Sequence, residues 1–271
     1  MWMRRRGAAS NLGGDPMAST TGKMPAWRAA LALAVLVVAS IVAGAAAHRY
    51  GLQTRLMALF FKPTERADTD AQRGVALLRE MKAGNLIFYF RHASRDKVPQ
   101  QLAYDLIDIA GKEELAPACL NAAGKQEAEL TGRLFAYAQI PVGTVVSSPS
   151  CRAKQSATLA FKKIDIINPA FLHSIAVSLP QAKYRDQLYD ALAALPITPG
   201  TNTVVFSHTN TINLIRERLA DSAANFGKTQ FKETGFYVLR RTGKTLSVLG
   251  LFSNINALAR SLVLAQAVDG P

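Results

Sequence analysis

Two cysteines among 271 residues are too few for a scaffold built on disulfides, and no Cys/His group has metal-ligand spacing. Gly227-Lys228-Thr229 lacks the earlier glycine of a P-loop, and no Gly-x-Ser-x-Gly elbow occurs. Zinc modules, P-loop nucleotidases and elbow-type serine hydrolases are thereby set aside, and chemistry without a metal or cofactor is expected. Acid is also scarce: 19 Asp and Glu stand against 32 Lys and Arg, a formal net charge of +13. Divided along the chain, residues 1–62 hold eight bases and one acid, leaving +6 for the rest, and no basic run is interleaved with aromatics. No nucleic-acid partner is expected. The remaining excess suits a protein that binds anions or faces an anionic surface.

What is present divides the chain. Residues 1–28, with Arg4-Arg5-Arg6 and Gly13-Gly14, read as a flexible basic leader. Residues 29–47 are apolar except for Ser40, close to the length a helix needs to cross a bilayer. This segment is either a retained transmembrane signal anchor, which its length favours, or a signal peptide cut after Ala45-Ala46-Ala47. Both place the folded part outside the cytoplasm, held on the inner membrane facing the periplasm or secreted into it. Residues 48–69 read as a linker, 70–260 as one α/β domain, and 261–271 as a tail.

Within the domain, helical spacing over Ala71 to Lys82 feeds an apolar strand, Leu86 to Phe90. Helices are expected at Gln100 to Ala110, Asn121 to Gln139, Pro149 to Phe161, Tyr184 to Leu195 and Thr211 to Leu219. Further strands are expected at Thr144 to Ser148, around Ile164 to Ile167, and at Thr203 to Ser207. Gly235 to Arg240 and Thr245 to Phe252 form a hairpin by their turn chemistry. The alternation predicts a mostly parallel sheet sandwiched by helices and closed by a hairpin edge.

Three strands end alike, in Phe90-Arg91-His92, in Val146-Ser-Ser-Pro-Ser-Cys-Arg152, and in Phe206-Ser207-His208. Ligands of open α/β sheets bind beyond such carboxyl ends. Guanidiniums grip phosphate bidentately and an imidazole can act as nucleophile, so the chemistry these ends carry is phosphoryl transfer.

Arg91-His92-Ala93, the stretch Ser147-Ser148-Pro149 through Arg152 to Ala157, and Ser207-His208 resemble, in order, the motifs of the histidine phosphatase superfamily, the phosphoglycerate-mutase-like fold. Leu120 to Ala128 is similar to the helix between the first two motifs. The resemblance covers about residues 70–255. It implies that His92 is a nucleophile forming a phosphohistidine, that Arg91 and Arg152 bind the phosphoryl oxygens, and that His208 hydrogen-bonds the phosphate in the transition state. Arg95, in an Arg-His-x-x-Arg spacing, resembles the pocket arginine of the acid phosphatase and phytase branch. Thr209 stands where that branch has its acidic proton donor, and Ser94 and Thr209 join Arg95 as candidate substrate contacts.

The chain departs from the family at the proton donor. The other branch takes its acid from a glutamate soon after the second motif, yet Ile164 to Leu188 has only Asp165 and Asp186. A general acid contributes roughly 10²–10⁴ in rate, so its absence bears on the substrate. Cys119 and Cys151 flank pocket-forming elements, and outside the cytoplasm a bond between them is expected, the alternative being two buried thiols. The sequence thus reads as an exported bacterial phosphatase type acting on a phosphorylated small molecule or an envelope glycan or lipid, with its membrane contact through the N-terminal helix. The alternative is a non-catalytic phosphate-binding or envelope interaction protein on a degenerate phosphatase fold.

Overall fold

The computed structural model describes residues 65–110, 115–173, 179–221 and 231–269. The leader, the apolar span at 29–47 and nearly all of the linker lie outside the described residues. Among those described, no helix is long and apolar enough to cross a membrane.

Six strands form one sheet: β1 (Leu86–Arg91), β2 (Val142–Ser147), β3 (Ile166–Ile167), β4 (Asn202–Ser207), β5 (Phe236–Thr242) and β6 (Thr245–Phe252). Their order is β3-β2-β4-β1-β5-β6. The first four pair in parallel, while β5 runs antiparallel to β1 and turns back into β6. The expected mostly parallel sheet with a hairpin edge is therefore the one observed. Helices α1 (Glu65–Ala83), α2 (Gln101–Ile109), α3 (Ala122–Tyr137), α4 (Cys151–Phe161), α5 (Gln181–Ala193), α6 (Thr209–Asn213) and α7 (Ile255–Asp269) connect and flank it.

β1 is hydrophobic from Leu86 to Phe90 because both its faces are covered there. Leu86, Phe88 and Phe90 point into a core with Phe135 of α3, Phe206, Phe236 and the apolar sides of α1 and α7. The Phe90 and Phe236 rings stack at 4.3 Å. Ile87 and Tyr89 point the other way, against Phe171 and against Leu188 and Leu192 of α5. Each such side chain, once buried, contributes on the order of 1.5–3 kcal/mol, so the strand that carries His92 is anchored from two sides.

Three expectations are corrected. The first helix, expected over Ala71 to Lys82, is already helical from Glu65. The supposed tail is mostly α7, whose Ile255, Leu258 and Leu262 are buried in the first core. Gly74 of α1 makes this possible, since a Cβ there would lie 2.1 Å from Ser261 Oγ. The helix expected over Thr211 to Leu219 is only α6 followed by a 3₁₀ turn, Arg216–Arg218. The chain leaves helical geometry because β6 captures it: Ala220 N–H donates to the Leu246 carbonyl at 2.9 Å and Val248 N–H to the Ala220 carbonyl at 2.9 Å. The remaining elements lie within three residues of their expected bounds.

Candidate active site

β2, β4 and β1 are adjacent and parallel, so their carboxyl ends open on one edge of the sheet. Main-chain bonds continue past the strands there. His92 N–H donates to the Ser207 carbonyl at 3.0 Å, and Ser148 N–H to the Phe206 carbonyl at 2.9 Å. The result is that His92 and His208, far apart in sequence, lie with ring centroids 5.3 Å apart and planes at 60°.

His92 is buried, and its Nδ1 lies 2.7 Å from the Ala93 carbonyl oxygen. A carbonyl can only accept, so Nδ1 carries the proton and Nε2 keeps its lone pair. Burial, then the charges of Arg152, Arg91 and Arg95, hold the imidazole's pKa well below its ordinary value. The imidazole is therefore neutral near pH 7 with a lone pair on Nε2, the form a nitrogen nucleophile requires. The peptide beside it is fixed to the second motif: Ala93 N–H donates to Ser156 Oγ at 3.0 Å, and that hydroxyl donates to the Arg152 carbonyl at 2.7 Å.

Arg152 has no exposed surface and needs a counter-charge. Asp105 of α2 supplies it bidentately, with Arg152 Nη2 to Asp105 Oδ2 at 3.0 Å and Nη1 to Oδ1 closer still. Arg152 Nε is left buried with no hydrogen-bond partner. Arg91 is half-buried, donating to the Phe231 carbonyl at 3.1 Å and pairing with Glu233. Arg95 donates to the Asp96 carbonyl at 2.9 Å and to Gln101 Oε1 at 2.6 Å. Partial burial and then the charge of Arg152 lower its pKa.

His208 Nε2 lies 3.2 Å from Ser148 Oγ and 3.3 Å from Ser150 Oγ. Its Nδ1, together with Thr209 Oγ1 and Asn210 Oδ1, is buried without a partner. Buried polar atoms are nearly always satisfied, so unmet ones beside an imidazole that feels Arg152 and Arg91 leave hydrogen-bonding capacity for a polar ligand. Tyr89 orients this end from beneath: its hydroxyl donates to Ser207 Oγ at 2.6 Å, and Ser207 Oγ donates to the Phe171 carbonyl at 2.7 Å.

A third imidazole joins the row. His173 lies 5.1 Å from His208, centroid to centroid, and 2.9 Å from Asn210 Nδ2 through its Nε2. Its pKa is lowered to about 4 by burial and then by Arg152. Among the described residues, no group of three or more His, Cys, Asp and Glu has the geometry to hold a metal ion.

The structure thus brings together Arg91, His92, Arg95, Arg152, His208 and Thr209. Ser94 is turned away to α3, where its amide and hydroxyl both donate to the Glu127 carboxylate at 2.9 Å. Gly124 allows this close approach, since a Cβ there would come within 1.9 Å of the Ser94 carbonyl oxygen. Asp165 precedes the edge strand β3, held by Lys163 at 2.9 Å and by Val145 N–H at 2.8 Å. Asp186 is exposed on α5 and paired with Arg218 at 2.6 Å. Cys119 and Cys151 are bonded, tying the first residue of α4 to the segment before α3. Sequence reasoning missed Asp105, His173 and Glu233. Two of these are counter-charges whose partners lie 47 and 142 residues away, and His173 follows a 3₁₀ turn, Pro169–Phe171, with no motif of its own.

No family model and no curated protein matches the chain. Solved structures similar to it include the protein histidine phosphatase SixA complexed with tungstate, 15% identical over 63% of this chain and 98% of that one, with a TM-score of 0.43. A phosphoserine phosphatase from Entamoeba histolytica in complex with 3-phosphoglyceric acid is 14% identical over 61% and 95%, TM-score 0.41. The alpha-ribazole phosphatase from Shigella flexneri is 14% identical over 60% and 94%, TM-score 0.40.

Proposed function

We propose that this chain is a phosphatase of the histidine phosphatase superfamily that hydrolyses a phosphoryl substrate through a phosphohistidine on His92. The single observation that carries this reading is the neutral, buried His92 imidazole with its Nδ1 proton committed to Ala93, set beside His208 and three arginines. The free Nε2 lone pair attacks phosphorus, and the leaving group departs with the bonding electrons. The flattened phosphoryl group carries its charge on equatorial oxygens, which fixed guanidiniums stabilise. Arg152 is suited to this because Asp105 already fixes its orientation. Water then attacks the phosphohistidine, the P–N bond breaks, and Nε2 recovers its lone pair with release of phosphate and a proton. Phosphorylation makes the imidazole cationic, and the Nδ1–H bond to Ala93 strengthens as it does so.

Placement outside the cytoplasm belongs to the same proposal. It is supported by the Cys119–Cys151 bond, which persists in oxidising compartments, and by the apolar run at 29–47. An envelope phosphate is the substrate location this placement favours.

The reading is tested with an aryl phosphate, whose leaving group needs little proton help. The full chain is expected to release phosphate, and His92→Asn and Arg152→Ala are expected to lose at least about 1,000-fold in kcat/KM. Binding of vanadate without any turnover would instead leave a phosphate-binding protein.

A further inference from the structure

We infer that the substrate is a phosphoanhydride, at least two linked phosphoryl groups of which the terminal one passes to His92. This rests on the phosphatase reading and narrows it to a leaving group that is itself a phosphate. Two independent features of the site carry it.

The first is that the carboxylates bonded to the site arginines and the three imidazoles of the site are not free to protonate a leaving oxygen. The two carboxylates that touch site arginines are each committed to one, Asp105 to Arg152 and Glu233 to Arg91. Glu127 is taken by Ser94, and Asp165 and Asp186 are held elsewhere. Of the imidazoles, His92 and His208 lie well below their ordinary pKa and His173 lies at about 4, so all three are neutral near pH 7. An alkoxide leaving group is about as basic as hydroxide, whose conjugate acid water has a pKa of about 15.7. A phosphate leaving group has a conjugate acid of pKa about 6 and departs as the anion.

The second feature is the imbalance among the three arginines. Arg91 and Arg152 each have a carboxylate, but Arg95 is bonded only to neutral oxygens, the Asp96 carbonyl and the Gln101 amide. Gln101 Nε2 in turn donates to Asp105 Oδ1 at 2.8 Å, so Arg95, Gln101, Asp105 and Arg152 form one hydrogen-bonded chain. A half-buried guanidinium near Arg152 with no carboxylate bonded to it directly fits a second phosphate linked to the first. The balanced step is this: the Nε2 lone pair forms the P–N bond, the P–O bond to the bridging oxygen breaks, and that oxygen leaves with its electrons on the second phosphate. Water then cleaves the P–N bond.

The test compares pyrophosphate, an aryl phosphate and glycerol 2-phosphate as substrates of the full chain. Pyrophosphate is expected to exceed the alkyl monoester in kcat/KM by at least about 100-fold, the value of a missing general acid. Arg95→Ala is expected to lower the ratio of pyrophosphate to aryl phosphate turnover roughly tenfold, and Arg95→Lys less, a ratio that does not depend on how much of a variant folds. Comparable turnover of glycerol 2-phosphate and pyrophosphate would overturn the inference. So would an unchanged ratio in Arg95→Ala, or hydrolysis of the aryl phosphate alone, which leaves the phosphatase reading standing. Failure of all three substrates would remove that reading as well.

Discussion

Asp105 grips both terminal nitrogens of Arg152, and neither side chain reaches water: Arg152 is 0% and Asp105 2% exposed. The guanidinium proposed to bind phosphate is thereby held in one orientation by a carboxylate from a helix 47 residues earlier. Asp105→Asn keeps the shape and removes the charge, leaving a buried cation unpaired. A loss of about 3–5 kcal/mol is expected in the free energy of unfolding, measured by denaturant titration. A loss under about 1 kcal/mol would mean that Arg152 finds another partner. Asp105→Glu should recover part of both stability and turnover.

The same pair shows where the sequence was hard to read. α2 carries Leu102, Leu106 and Ile107 at 41–48% exposure and buries Asp105 and Asp108. A hydrophobic-in reading turns this helix inside out, because the force that sets its face is a buried charge pair and a bond from Cys151 N–H to Asp108 Oδ2 rather than apolar burial. The strands behaved otherwise. Leu86 to Phe90 and Thr203 to Phe206 are covered on both faces, and continuous apolar runs announce that directly. His92 and His208 were legible because each directly follows such a run, and Arg152 because it opens α4 just beyond β2. His173 was not, since its place depends on Thr211 Oγ1 donating to the Leu172 carbonyl at 2.7 Å, a contact between segments 39 residues apart. α7 did have a readable signal in Ile255, Leu258 and Leu262, one helical face of which only Leu262 lies in the stretch read as a tail.

The disulfide closes a loop of 32 residues, which in the chain-entropy description is worth about 3–4 kcal/mol. Reduction, or Cys119→Ser with Cys151→Ser, is expected to lower the thermal midpoint by several degrees. Because Cys151 precedes Arg152 and donates its amide to Asp108, kcat/KM should fall in the same samples. A midpoint that does not respond to reductant would show the bond to be absent in solution.

Acid should destabilise the domain through its histidines. His173 titrates at about 4 when folded and near 6.5 when unfolded, so between those values the unfolded chain binds the extra proton. Stability is therefore complete above about pH 6.5 and is lost as pH falls toward 4, with His92 and His208 acting in the same direction. His173→Gln is expected to make this dependence shallower in denaturation measured across that range. An unchanged slope would mean that His173 is solvated and not held in the cationic pocket. The proposed route uses a neutral His92, so kcat/KM is expected to stay level on acidification to below pH 6.5.

The most direct measurement is of the covalent intermediate itself. The full chain is mixed with an aryl phosphate, quenched in alkali within the first turnover, and mapped by mass spectrometry. An acid-labile phosphate on the peptide containing His92 is expected, forming at the rate of the burst and absent from His92→Asn. Turnover with no phosphate on His92 at any time, or with the label on another residue, would contradict the phosphohistidine route.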